Sequence, residues 1–300
     1  MALPASTDHH LSFSIPTRHC RGRVVRLGPV LDEILSAHNY PPQIHDLLAE
    51  ALCLTTMLGS LLKDDDAQLT LQAQTESGVI NLLACDYKDG ALRGYVQFDA
   101  ERLAQQPVEP SLMALFGKGY LAITFDQPQP RGRSQGIVPL EGGSLAEAVE
   151  SYFRQSEQLL TLIRVATTND GTSTVAGGLL VQHLPEGEDG KERLHVRLDH
   201  PEWEHVEVMG GSVSPDELTD TVLPLEDVLW RLFSESDEVR VMSGKPCVKG
   251  CRCNEDHIRG VIARFPKDDR EEMAAEDGNI SIDCAFCSKK FTISSASLNN

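Results

Sequence analysis

At 300 residues the chain is long enough to bury a substantial core, and 41% hydrophobic with 24% charged content is ordinary for a globular protein. A net charge of −18 repels phosphate backbones and argues against nucleic acid as a partner. Residues 1–20 lack a basic start followed by an apolar stretch, and no apolar run reaches transmembrane length, so the sequence predicts a cytoplasmic protein without a membrane partner.

His9 and His10 read as an exposed tail, residues 22–27 as a short strand and residues 32–38 as a brief helix. Residues 42–63 carry Ile44, Leu47, Leu48, Ala51, Leu54, Leu58, Leu61 and Leu62 at helical spacing behind two prolines. Strands are predicted at 68–74, 79–86 and 91–98, with Asp89-Gly90 as a hairpin turn between the last two. Further strands are expected at 120–126, 135–140 and 174–182. Ser144 and Glu147 form a capping-box pattern, and a long helix is predicted from 144 to 167. Strands in runs rather than in alternation with helices indicate an α+β fold: a mainly antiparallel sheet core with packed helices.

The core is expected to span 1–184. A metastable linker is expected at 185–246, opening with a loop at 185–190. Its later part is acidic yet apolar enough to need a docking surface, and residues 224–234 place Leu225, Val228, Leu229 and Leu232 on one helical face. A small C-terminal zinc-binding module at 247–300 completes the chain. Short helices are predicted at 256–265 and 267–276. Strands at 280–284 and 290–294 form a hairpin tipped by Cys284-Ala-Phe-Cys287.

Eight cysteines are present. Cys53 and Cys85 lie in apolar patterns and read as buried small hydrophobes. Cys20 reads as an exposed thiol in a basic loop, with Arg18, Arg21 and Arg23 nearby. Cys247 reads as an auxiliary thiol able to compete for metal or join a disulfide; His257 lies close to Cys253 and could serve as a spare ligand, but four cysteines already fill the shell. Cys251-Arg-Cys253 and Cys284-Ala-Phe-Cys287 are the candidate metal ligands, a tetrathiolate set that suits Zn2+. A closed shell leaves no position for substrate. No catalytic constellation accompanies it, so the chain reads as a protein that is not an enzyme. In the reduced cytoplasm the thiols are metal ligands. Oxidation turns thiolates into disulfides, and Cys251 can pair with Cys253 and Cys284 with Cys287. Lys249, Arg252, Lys289 and Lys290 are expected around the sulfurs, favouring thiolates.

Several stretches resemble the redox-regulated 33 kDa chaperonin family of bacterial heat-shock holdases. They include Gln74-Thr-Glu-Ser-Gly-Val-Ile80, Leu92-Arg-Gly-Tyr95, residues 117–124, Gly136-Ile-Val-Pro-Leu140, residues 152–158, Val228-Leu-Trp-Arg-Leu232 and Ala275-Glu-Asp-Gly278. The resemblance implies an ATP-independent holdase, inactive when reduced and zinc-bound. Oxidation, especially with mild heat, would form disulfides Cys251–Cys253 and Cys284–Cys287, release zinc and unfold the linker. It further implies unfolded client proteins and ATP-driven foldases as partners, and a homodimer when oxidised. The family's usual Ser-Arg-Glu-Arg after its first cysteine pair is replaced here by Asn254-Glu-Asp-His257. Cys247 and residues 186–190 also depart from the family pattern. Two other readings of the cysteines remain open: a thiol–disulfide oxidoreductase using Cys284 and Cys287, and a structural zinc-stapled interaction protein.

Overall fold

The computed structural model describes residues 7–75, 77–130, 132–184, 201–275 and 277–298, so the loop expected at 185–190 lies outside the described residues. The chain opens with the hairpin β1 (His9–Ile15) and β2 (Cys20–Leu27), followed by helices α1 (Pro29–Leu35) and α2 (Pro42–Gly59). Strands β3 (Gln68–Gln74), β4 (Ile80–Lys88) and β5 (Ala91–Phe98) form a meander. Short helices α3 (Ala100–Leu103) and α4 (Leu112–Phe116) lead into β6 (Tyr120–Asp126) and β7 (Arg133–Pro139). Helix α5 (Leu145–Tyr152) precedes β8 (Thr161–Asn169) and β9 (Thr174–His183). Then come α6 (Pro201–Gly211), α7 (Pro215–Thr219), α8 (Leu225–Phe233), β10 (Arg240–Ser243) and β11 (Val248–Lys249). Last are α9 (Glu255–Ile262), α10 (Lys267–Met273), β12 (Asn279–Asp283) and β13 (Lys290–Ser294).

The strands make one sheet in the order β10-β1-β2-β9-β8, a second in the order β11-β5-β4-β3-β6-β7, and the separate hairpin β12-β13. Neighbours are antiparallel throughout except for β11 on β5, which confirms the α+β class with mainly antiparallel sheets. Asp89 and Gly90 both take positive φ, 49° and 82°, as a two-residue hairpin turn requires.

Helix α2 touches strands of both large sheets, and every residue from 51 to 59 is buried. Two buried threonines are tolerated there because Thr55 and Thr56 donate to the carbonyls of Ala51 and Leu52 at 2.7 and 2.8 Å. The five-stranded sheet is apolar on both faces. Val25, Ile163 and Leu180 join the core around α2, while their chain neighbours Val24, Leu162, Leu179 and Val181 face a second core. That second core is closed by α6, α7 and α8 through Trp203, Val206, Leu218, Val228, Leu229 and Phe233. We call residues 201–233 the cap. Its α8 buries the face expected from sequence.

Two expectations are overturned. The long helix at 144–167 ends early: α5 gives way to a widened turn at Phe153–Glu157, closed by Gln158 at φ 55°, and the remainder is β8. Residues 159–163, Leu-Leu-Thr-Leu-Ile, are apolar apart from Thr161 and suit either element, and pairing with β9 makes them a strand. At the start of α5, Ser144 caps as expected, accepting from the Glu147 amide at 3.2 Å, but the Glu147 carboxylate reaches back to the Gly143 amide instead of completing the box.

Nor is His9-His10 an exposed tail. It opens β1, and His10 is 4% exposed. Burial, aided by the charges of Arg23 and His9, pulls the His10 pKa from 6.5 to about 4. The neutral ring therefore contributes stability that is complete above pH 6.5 and is lost as pH falls towards 4, about 3 kcal/mol in all. Urea unfolding between pH 7 and 4 should show a His10→Gln chain with a correspondingly shallower loss of stability. An unchanged slope would contradict the buried neutral histidine.

Candidate metal centre

Local chain geometry builds the thiol cluster from two directions. Strand β11 adds to the edge of the six-stranded sheet, with the Val248 amide donating to the Gly90 carbonyl at 3.0 Å and the Gly250 amide to that of Leu92 at 2.8 Å. This fixes where Cys251 and Cys253 emerge. Asn254 then caps α9, accepting from the His257 amide at 2.7 Å, and turns the chain away. From the other side, β12 and β13 present Cys284 and Cys287 on the turn at their tip, as expected, with the Ser288 amide donating to the Cys284 carbonyl at 2.8 Å.

The four Sγ atoms lie within 4.8 Å of one another. Cys251–Cys253, Cys253–Cys287 and Cys251–Cys284 are separated by 3.2, 3.4 and 3.6 Å. All four are free thiols. A tetrahedral tetrathiolate shell with metal–sulfur bonds of about 2.3 Å spaces its sulfurs by about 3.8 Å, so the donor set fits such an ion after a small expansion. Burial opposes ionisation of Cys251. The Cys253 amide and the three other sulfurs outweigh it and bring that thiol down to about 7. Burial and neighbouring sulfurs push Cys253 and Cys287 up. A cation is what would allow all four to be thiolates together.

The expected basic surround is largely committed elsewhere. Lys249 donates to the Glu33 carbonyl at 2.7 Å, and Arg252 reaches Asp86 at 3.1 Å. Lys289 lies 5.1 Å from the centre of the Phe291 ring. His257 is exposed and lies outside the thiol group, so it is no spare ligand. Cys247 is 3% exposed within the main core, where burial lifts its thiol to about 12, so it is not an auxiliary ligand. Cys20 is likewise buried, on β2, and pushed up to about 12, rather than exposed in a loop. Cys53 and Cys85 are buried as expected.

The thiol tip is docked on the six-stranded sheet by contacts that sequence reasoning did not anticipate. Phe286, between the second pair of cysteines, packs edge-on to Tyr95 at 4.8 Å between ring centroids, and the Arg93 guanidinium lies 3.9 Å from its ring centroid. Oδ2 of buried Asp86 accepts from both Arg93 and Arg252, at 2.5 and 3.1 Å. His38 contacts the Phe286 carbonyl and the Ser288 hydroxyl, each at 3.3 Å. Asp86 and Arg93 face each other in the β4–β5 register, which the hairpin turn made readable. The partners from residues 252 and 286 leave no local signal.

A family model described as Hsp33 protein matches residues 8–294. The chain belongs to the Hsp33 family. A relative from Caulobacter vibrioides named 33 kDa chaperonin is 38% identical over 290 residues, covering 94% of this chain and 93% of its own. A relative of the same name from Escherichia coli is 31% identical over 272 residues, covering 90% and 87%. The crystal structure of the Hsp33 homologue from Thermotoga maritima superposes with a TM-score of 0.79 at 21% identity, over 97% of this chain and 96% of that one, and so shares the fold. Among the described residues, no helix is long and apolar enough to cross a membrane.

The docking geometry predicts a specific lesion in this Hsp33 chain. Phe286→Ala removes an aromatic pair and a cation–π contact, together worth about 1–3 kcal/mol. Amide exchange at 284–289 should then quicken about tenfold or more while β3 and β6 stay protected. Unchanged exchange at the tip would show that Phe286 does not hold it.

Proposed function

We propose that the chain is a redox-regulated, ATP-independent holdase of the cytoplasm. In this reading it is divided into a core at 1–184, a releasable linker at 185–246 and a zinc-binding switch at 247–300. The observation that carries the proposal is the double-sided sheet whose second apolar face is covered, among the described residues, by short helices. The cap helices have 11, 5 and 9 residues, below the roughly 12–15 at which isolated helices become stable in water. Their order depends on docking. Once they leave, Leu11, Phe13, Val24, Leu162, Leu179 and Val181 become a contiguous apolar surface for unfolded clients. The acidic cap segment stays soluble when free.

In the reduced state Cys251, Cys253, Cys284 and Cys287 would hold one Zn2+, which supplies on the order of 10–16 kcal/mol of folding free energy in small modules of this kind. Each disulfide forms as two thiolates give two electrons to a peroxide, which takes two protons from solvent and leaves as two waters. A set that has lost two of four thiolates no longer holds the ion, and the C-terminal module loses its staple. The chain between that module and the cap is stitched to both large sheets. The amide of Gly244 donates to the His10 carbonyl, that of Cys247 to Asp8 and that of Gly250 to Leu92. Unravelling of β11 therefore pulls on β10 and then on α8. Family membership supports the rest of the reading, in which the oxidised protein forms a homodimer and passes clients to ATP-driven foldases.

The pairing Cys251–Cys253 with Cys284–Cys287 is favoured by the 3.2 Å separation of the first pair. The crossed pairing starts from 3.4 and 3.6 Å, and peptide mapping of the oxidised chain separates the two. The functional test follows zinc release and light scattering of a heated client during peroxide treatment. We expect one zinc ion lost per chain, and suppression of aggregation without ATP only after that loss. Equal suppression before and after oxidation would remove the switch. Sustained turnover in insulin reduction would favour the oxidoreductase reading instead.

A further inference from the structure

Among the described residues, Arg26 is the largest fully buried side chain, at 0% exposure. It sits on β2 in the five-stranded sheet, yet its guanidinium serves the cap. Nε donates to the Leu218 carbonyl at 2.9 Å, Nη1 to that of Leu223 at 2.6 Å and Nη2 to that of Glu217 at 2.9 Å. Glu217 and Leu218 lie in the last turn of α7, where carbonyls have no further amide of the helix to accept from. One planar cation thus gathers three main-chain acceptors, two from the end of α7 and one from the turn that leads to α8, in a geometry that a lysine cannot reproduce.

Two features show that the seat is shaped for this turn. The cross-strand partner of Arg26 on β9 is Gly177, and a Cβ there would meet the Leu218 carbonyl oxygen at 2.0 Å. Only a bare backbone lets the turn lie this close to the sheet. The turn itself is held in shape by Asp220, whose carboxylate accepts from the Val222 and Leu223 amides at 2.8 and 3.3 Å. Apolar contacts around Arg26 are plastic and could slide. Three charge-assisted hydrogen bonds to fixed carbonyls cannot, and their loss strands buried acceptors.

We propose that Arg26 is the polar lock of the cap, a positioning residue that sets how readily residues 201–233 leave the sheet, separately from the thiol cluster. The inference rests on the reading of the cap as the releasable cover of a client-binding face. It assigns a second control point to that face, on the core side of the joint rather than on the cysteine side. When the cap departs, water replaces the three carbonyls around the guanidinium, so the lock opens without leaving a buried charge behind.

The test uses the full-length, reduced, zinc-loaded chain and three variants: Arg26→Met, Arg26→Lys and Asp220→Ala. The last changes only an exposed residue, so the sheet should fold normally even if Arg26→Met proves too damaging. Amide exchange in 217–229 should quicken tenfold or more in Arg26→Met and less in Arg26→Lys and Asp220→Ala. Zinc content and the protection of β12 and β13 should be unchanged, whereas a merely structural role would loosen all regions together. Unchanged exchange in the cap for Arg26→Lys and Asp220→Ala, or loosening spread evenly over the chain, overturns the lock. Client aggregation is read on the same samples. A loosened cap with suppression in the reduced state supports both the lock and the holdase reading. A loosened cap without suppression keeps the lock and refutes the client face beneath it.

Discussion

An antiparallel sheet with apolar side chains on both faces must be covered twice. Here α2 covers one face of the five-stranded sheet from within the main core, and α6, α7 and α8 cover the other. The two covers differ in kind. Helix α2 has 18 residues and is wedged between two sheets, whereas the cap is three short helices on one surface. Burying apolar area contributes roughly 25 cal/mol per Å2, so the cap is held by the sum of many modest contacts, among them Phe13 against Phe233 at 5.7 Å. In the proposed function this cover leaves while the sheet beneath it stays folded.

The thiol cluster stands at the far end of the chain that leaves the cap. From β10 on one sheet the chain crosses to β11 on the other, and Cys251 follows directly. The cluster is anchored to the same sheet a second time through Phe286, Arg93 and Tyr95. Both cysteine pairs thus touch the core within a residue or two of their sulfurs. A change in bonding at those sulfurs alters the anchoring segments themselves. In the proposed reading, a bound metal would contribute folding free energy comparable to a whole-domain stability of about 5–15 kcal/mol, and its loss would melt the small module.

Much of this was readable from sequence because it is local. The strand-forming runs of β3 to β6, the Asp89-Gly90 turn, the helical spacing of α2 and α8 and the two cysteine pairs each announce themselves within a few residues. What escaped depends on partners far along the chain. Leu11-Ser-Phe13-Ser-Ile15 alternates cleanly, yet the histidines ahead of it suggested a tail, and only pairing with β2 and β10 buries His10. Residues 159–163 carry no signal that separates strand from helix. Cys20 and Cys247 look reactive beside arginines or other cysteines, and only burial silences them. Arg26 looks like any surface arginine until the turn at 217–223 is laid over it.

Trp203 offers the most direct reading of the central claim, because it lies under the cap at 4% exposure while Trp230, the other tryptophan, is 70% exposed. In a Trp230→Phe chain, the emission of Trp203 can be followed during peroxide oxidation alongside disulfide formation. The account predicts that emission moves to the red and becomes quenchable by acrylamide as the disulfides form and zinc is lost. Emission that stays blue and shielded in the fully oxidised, zinc-free chain would show that the cap remains closed, and would contradict it.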